Sequence, residues 1–175
     1  MTPELKQRAR HVRLALFDVD GVMTDGTLYV SGNGESFKPF NILDGLGLKL
    51  LKSSGVATGI ITGRSSAAVT TRAGELDIDH LVQGSADKLR AYSDLKDRLR
   101  LDDQQISYMG DDLPDLPVLR RCGLAISPPG AAESVLSEVH FVTRTGGGKG
   151  AVREVCELIM QAQETWQTQV NHFLS

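Results

Sequence analysis

The segment LALFDVDGVMTDG, Leu14 to Gly26, decides the fold of this chain. It opens as an unbroken apolar run, the pattern of a strand buried on both faces. It then ends in Asp18 and Asp20, one residue apart, followed by Gly21. Alternation puts positions i and i+2 on one side of an extended strand, so the two carboxylates repel unless the chain bends or a cation offsets them. Asp-x-Asp-Gly taken alone is also an ordinary turn sequence, and the rest of the chain has to decide between the two readings.

Working outward, short β-prone runs recur at 13–19, 56–62, 80–83, 106–110, 123–127 and 140–143. Amphipathic stretches lie between them at 44–54, 65–75, 86–100, 114–121, 131–137 and 150–168. This rhythm predicts an α/β fold: a mainly parallel sheet between two helical layers, a Rossmann-like three-layer sandwich. One segment departs from it. TLYVSGNGESFKPF (27–40) reads as a β-hairpin, with Asn33-Gly34 supplying the positive φ of its turn. Placed directly after the first strand, it would stand over the carboxyl edge of the sheet, where open α/β sheets bind ligands; that position suits a flap.

The 175 residues suit a single domain, 1–175. With 41% hydrophobic and 23% charged residues, the composition is that of an ordinary soluble domain. A net charge of −3 argues against broad binding to nucleic acid or an anionic membrane, while leaving room for a local basic pocket. Cys122 and Cys156 form no C-x-x-C pair, which fits buried free thiols in a reducing cytoplasm. No apolar stretch approaches the ~20 residues of a membrane span, and the polar, basic N-terminus lacks a signal core.

Four features fall at strand ends or helix starts: Asp18-x-Asp20-Gly21, Thr62-Gly63-Arg64, Lys88, and GDDLPD (Gly110 to Asp115). In a parallel sheet the strand C-termini share one edge, so Asp18, Asp20 and Asp111 can meet there as an oxygen-rich site for a hard cation. Mg2+ fits, since it takes few protein ligands and keeps waters and a substrate phosphate. Each feature has a plainer reading: a turn, a loop, a solvated helix lysine, or a helix start with Asp112 as N-cap and Pro114 in the first turn. Their joint occurrence in this order is harder to explain that way.

The ordered set D-x-D-G, T-G-R, K and GDD-x-x-D resembles the four motifs of the haloacid dehalogenase-like hydrolase superfamily. The resemblance implies Asp18 as the nucleophile that forms an aspartyl-phosphate and Asp20 as general acid/base. It implies Thr62 and Lys88 as the groups holding the phosphoryl oxygens. The Mg2+ ligands would be Asp18, Asp111 and the Asp20 backbone carbonyl, with Asp112 and Asp115 as supporting residues. The second aspartate points to phosphatase rather than dehalogenase chemistry. Response-regulator receiver domains use similar groups in a different chain order, and a non-enzymatic assembly module would have no need of all four motifs.

Only 43 residues lie between Asp18 and Thr62, 25 between Thr62 and Lys88, and 22 between Lys88 and Asp111, so no interval holds a cap domain of the usual size. The hairpin, FNILDG (40–45), ITGR and GGGKGAVREV resemble the capless branch acting on 3-deoxy-D-manno-octulosonate (KDO) 8-phosphate in lipopolysaccharide biosynthesis. That resemblance implies a homotetramer with shared sites. It also implies a sugar-acid pocket lined by Asp20, Asn41, Ile42, Leu43, Asp44, Gly45, Arg64, Arg72, His80 and Lys88. Arginine suits the substrate carboxylate, although Arg72 also reads as a surface residue and His80 as an ordinary strand histidine. A phosphatase of a related sugar acid, such as a nine-carbon sialic acid phosphate, is the alternative. TGGGKGAVREV (145–155) lacks the spacing of a P-loop. It is either a flexible linker or a segment that brings Lys149 and Arg153 to an anionic substrate.

Overall fold

The structure, a computed structural model, describes residues 1–32 and 34–174; Asn33 of the expected hairpin turn lies outside them. The strands in chain order are β1 (Leu14–Phe17), β2 (Tyr29–Ser31), β3 (Gly34–Phe37), β4 (Ala57–Ile61), β5 (His80–Val82), β6 (Ile106–Met109), β7 (Leu124–Ser127) and β8 (Phe141–Val142). The helices are α1 (Pro3–Arg10), α2 (Ile42–Ser53), α3 (Ala67–Glu75), α4 (Lys88–Leu99), α5 (Leu116–Leu119), α6 (Glu133–Leu136), α7 (Ala151–Ala162) and α8 (Trp166–Asn171).

Six strands form one sheet in the order β5-β4-β1-β6-β7-β8, with every neighbouring pair parallel. The order reverses at β1, so the carboxyl end of β1 opens onto the switch-point crevice where such sheets bind ligands. Strands β2 and β3 pair antiparallel as a separate ribbon.

The alternation of β1 divides the core. Ala15 and Phe17 join residues of α1, α2, α3 and α7 on one face, while Leu14 and Leu16 join residues of α4, α5 and α6 on the other. All four are essentially buried, which is why β1 reads as continuously apolar. The most intimate helix pair is α2 with α7. A Cβ on Gly47 would come within 3.0 Å of the Arg153 Cα, so glycine lets the two backbones approach.

Three sequence expectations change. Helix α1 was not foreseen, although Thr2 caps it by accepting the Leu5 amide at 3.2 Å and Pro3 follows at a position where proline needs no N–H partner. The expected helix 150–168 is broken into α7 and α8 by Glu164, which has a φ of 63°. Gln163 there donates to the Ala9 and Val12 carbonyls at the end of α1 (3.2 and 2.7 Å). The expected helix 114–121 is a 3-10 turn over Leu113–Asp115 followed by the short α5. Among the described residues no helix is long and apolar enough to cross a membrane.

Asp44 shows how local chemistry fixes this frame. It is 2% exposed and accepts the amide of Arg153 at 2.8 Å, with the amides of Gly150 and Val152 close by. It thereby caps the start of α7 from the first turn of α2, using groups a helix N-terminus leaves without internal partners. Burial raises its pKa and those amides oppose the rise. Asp44→Ala is expected to lower unfolding free energy by about 1–2 kcal/mol in urea titrations; an unchanged midpoint would show that the cap contributes nothing.

Candidate active site

Asp18 is the first residue beyond β1, held by its amide donating to the Met109 carbonyl at 2.9 Å. It is 6% exposed. From there the chain curls rather than staying extended, and the amides of Val22, Met23 and Thr24 all donate to the Val19 carbonyl. The bend keeps Asp20 from stacking on Asp18. Gly21 completes it with a φ of +82°, and a Cβ there would overlap the Asp111 carboxylate. That answers why glycine follows the aspartates: the turn needs the left-handed region, and Asp111 needs the space.

Lys88 begins α4, placing a cation at the positive end of a helix, where the dipole disfavours it. Two carboxylates offset this: its Nζ lies 2.9 Å from Asp18 Oδ2 and 2.7 Å from Asp115 Oδ1. Burial alone would lower the lysine's pKa, but the facing Asp18 and Asp115 more than reverse that and raise it. At 6% exposure Lys88 is not the solvated helix lysine of the plainer reading. Asp115, fully buried, also accepts the Tyr108 hydroxyl at 2.5 Å and the amides of Asp111 and Asp112 at 3.2 and 3.3 Å. Asp112 is an N-cap as its plainer reading had it, accepting the Leu113 amide at 2.8 Å.

Asp18, Asp111 and Asp115 each offer an oxygen within 4.8 Å of the others. Three carboxylates around one ammonium leave the site two charges short of neutrality, the deficit a divalent cation fills. Asp18 Oδ1 is buried with no hydrogen-bond partner, as an oxygen reserved for an ion would be. The donor set is all hard oxygen, so it fits Mg2+. Burial first, then the charge of Asp115, pushes Asp18 up to about 6 against the pull of Lys88. Burial, then Asp18 and Asp115, pushes Asp111 up to about 7.

Asp20, Thr62, Gly63, Arg64, Ser85 and Ala86 line a cleft of about 310 Å3 with Asp18, Lys88 and Asp115. Thr62 is fixed at the end of β4 by its amide donating to Val82 at 3.0 Å and its carbonyl accepting from Ser85 at 3.1 Å. Arg64 is half exposed at the rim, its Nε 3.8 Å from Asp20 Oδ2. The structure therefore brings together Asp18, Asp20, Thr62, Arg64, Lys88 and Asp111. It does not bring the others there within one chain. Asn41 caps α2 by accepting the Leu43 and Asp44 amides, and Ile42 and Leu43 are exposed. Gly45 leaves room for the Arg72 guanidinium, which binds Glu75 at 3.0 Å and the Asn41 carbonyl at 3.5 Å. His80 opens β5, away from the carboxyl edge, and feels Arg98 near the far end of α4, about 15 Å along the helix from Lys88.

The glycine-rich loop is no slack linker. The Gly148 amide donates to the Val22 carbonyl at 3.0 Å, and a Cβ on Gly147 would strike the Gly21 carbonyl. The docked loop places Lys149 in a hollow with Asp25 and Asp111. Arg153 instead pairs with Glu157 at 2.6 Å and lies over Trp166. Sequence reasoning missed Tyr108 and Lys38. Tyr108 looks like any core residue of β6, and Lys38, which pairs with Asp20 at 2.5 Å, reads as a solvated lysine after a hairpin.

Without a cation, the raised values of Asp18 and Asp111 mean that the folded chain binds more protons than the unfolded one between the ordinary carboxylate range and about 7. Their contribution to stability therefore falls as pH rises across that interval. Mg2+ takes the place of those protons, so its increment in melting temperature is expected to be larger at about pH 8 than at about pH 5.5. Equal increments would show that these carboxylates do not hold the ion.

No family model matches the chain. A 3-deoxy-D-manno-octulosonate 8-phosphate phosphatase, KdsC, from Yersinia pestis is 47% identical over 158 residues, 90% of this chain and 84% of that protein. The crystal structure of a probable YrbI family phosphatase from Pseudomonas syringae superposes with a TM-score of 0.97 at 48% identity, covering 99% of both chains. That of the 3-deoxy-D-manno-octulosonate 8-phosphate phosphatase from Moraxella catarrhalis, in complex with magnesium ion, phosphate ion and KDO, gives a TM-score of 0.96 at 44% identity, also over 99% of both. With likeness of this degree along almost its whole length, and the four motifs gathered at one sheet edge, the chain belongs to the KDO 8-phosphate phosphatase family of haloacid dehalogenase-like hydrolases.

Proposed function

We propose that this chain is a Mg2+-dependent phosphatase that hydrolyses KDO 8-phosphate to KDO and phosphate through an aspartyl-phosphate on Asp18. The observation that carries the reading is Asp18 itself. It is buried at the end of the central strand, with one oxygen on Lys88 and the other without a hydrogen-bond partner, in a family whose Moraxella member is seen with magnesium, phosphate and KDO.

In the first step an Asp18 oxygen attacks phosphorus as the bond from phosphorus to the sugar oxygen breaks. The leaving oxygen takes that electron pair and the proton carried by Asp20. In the second step water attacks the phosphorus, Asp20 takes its proton, and the bond to Asp18 breaks to return the carboxylate and free phosphate. Splitting one displacement into two is the gain of a covalent nucleophile. The Lys88 ammonium and Thr62 hydroxyl would hold the phosphoryl oxygens. Asp18, Asp111 and the Asp20 backbone carbonyl would hold Mg2+, which neutralises charge on the phosphoryl group.

The chain would work as one capless domain, with the hairpin as flap. Leu28, Val30, Phe37, Ile42 and Leu43 are exposed apolar residues on or beside that hairpin, and an isolated two-stranded ribbon gains from pairing. Both facts support a homotetramer in which Asn41 to Gly45, Arg72 and His80 complete the sugar-acid pocket of a neighbour. Two free, buried cysteines agree with a cytoplasmic enzyme of lipopolysaccharide biosynthesis.

Phosphate release from KDO 8-phosphate, a sialic acid 9-phosphate and common sugar phosphates, with Mg2+ and with EDTA, tests the reading. Strong preference for KDO 8-phosphate, loss in EDTA and a roughly 10³-fold or greater drop in kcat for Asp18→Asn are expected. Indiscriminate hydrolysis would keep the chemistry and remove the substrate.

A further inference from the structure

Lys38 lies one residue beyond β3, where the hairpin returns toward the sheet. Its side chain is 3% exposed, and its ammonium stands 2.5 Å from Asp20 Oδ1. Placing a lysine headgroup in so dry a position is unfavourable unless it is closely paired. Asp20 repays part of that cost here, at the lip of the cleft it lines with Asp18 and Thr62. The other Asp20 oxygen is only 3.8 Å from Arg64, whose own side chain is 52% exposed. The buried lysine is therefore the firmer of the two constraints. The base of the hairpin is itself braced, since Tyr29 and Phe37 stack with ring centroids 4.3 Å apart.

We infer that Lys38 is a positioning residue for the departure of the leaving group: it holds the Asp20 carboxyl in one orientation at the cleft, so the hairpin supplies catalytic order as well as cover. The inference rests on the phosphatase reading, with Asp20 as the proton donor. As the bond from phosphorus to the sugar oxygen breaks, that oxygen keeps the electron pair and takes the Asp20 proton. A sugar alkoxide needs this proton. A nitrophenolate leaves without it.

The test compares kcat/KM, which reports only the steps through phosphoryl transfer to Asp18, for KDO 8-phosphate and p-nitrophenyl phosphate. Lys38→Met is expected to lower it about 10–100-fold for the sugar phosphate and less than about threefold for the aryl phosphate. Asp20→Asn should show the same selectivity, and the double variant should be no worse on the sugar phosphate than Asp20→Asn alone. Equal losses on both substrates, or multiplying losses in the double variant, would overturn the inference while leaving the phosphatase reading intact. A wild type inactive on both would overturn the two together. Lys38→Gln, read in the same assay, covers the case in which the methionine variant does not fold.

Discussion

Three carboxylates, two of them buried, crowd one buried ammonium at the carboxyl edge of the sheet, and most of the structure around them serves to make that arrangement tolerable. Burying ions costs several kcal/mol each unless attraction and hydrogen bonds compensate. Asp115 is compensated completely, by Lys88, Tyr108 and two amides. Asp18 is compensated on one oxygen only. The imbalance is the site's capacity for chemistry: a fully satisfied Asp18 would have nothing left for a cation or a phosphorus atom.

The backbone around this knot is shaped by what must come close. The curl at Val19 turns Asp20 away from Asp18, and Gly21 and Gly147 leave room for Asp111 and for the docked loop before α7. Asp44 then ties α7 to α2. Residues distant in sequence thus stiffen the loop that carries the paired aspartates, and rigid support of this kind keeps a catalytic constellation within the tolerance its reaction allows.

Much of this was legible beforehand. The β1 run, the order of the motifs and the α/β alternation gave the sheet and its helices, and Thr62, Lys88 and Asp111 arrive where the strand ends put them. Less legible were elements whose signal is short or tertiary. The Thr2-Pro3 start of α1 was readable as a cap, yet it sits in a polar stretch. The break between α7 and α8 depends on Gln163 reaching the end of α1, a contact 151 or more residues away in the chain.

The sequence by itself determined that Asp18, Asp20, Thr62, Lys88 and Asp111 stand at one edge of the sheet, because alternation and strand direction are properties of the local chain. Tertiary structure alone decided what each group does there. Only packing shows that Lys88 is buried between two carboxylates, that Asp44 caps the start of α7, that Lys38 reaches Asp20, and that His80 stands at the other end of its strand from the cleft. These are outcomes of burial and distance between distant segments, and no local pattern encodes them.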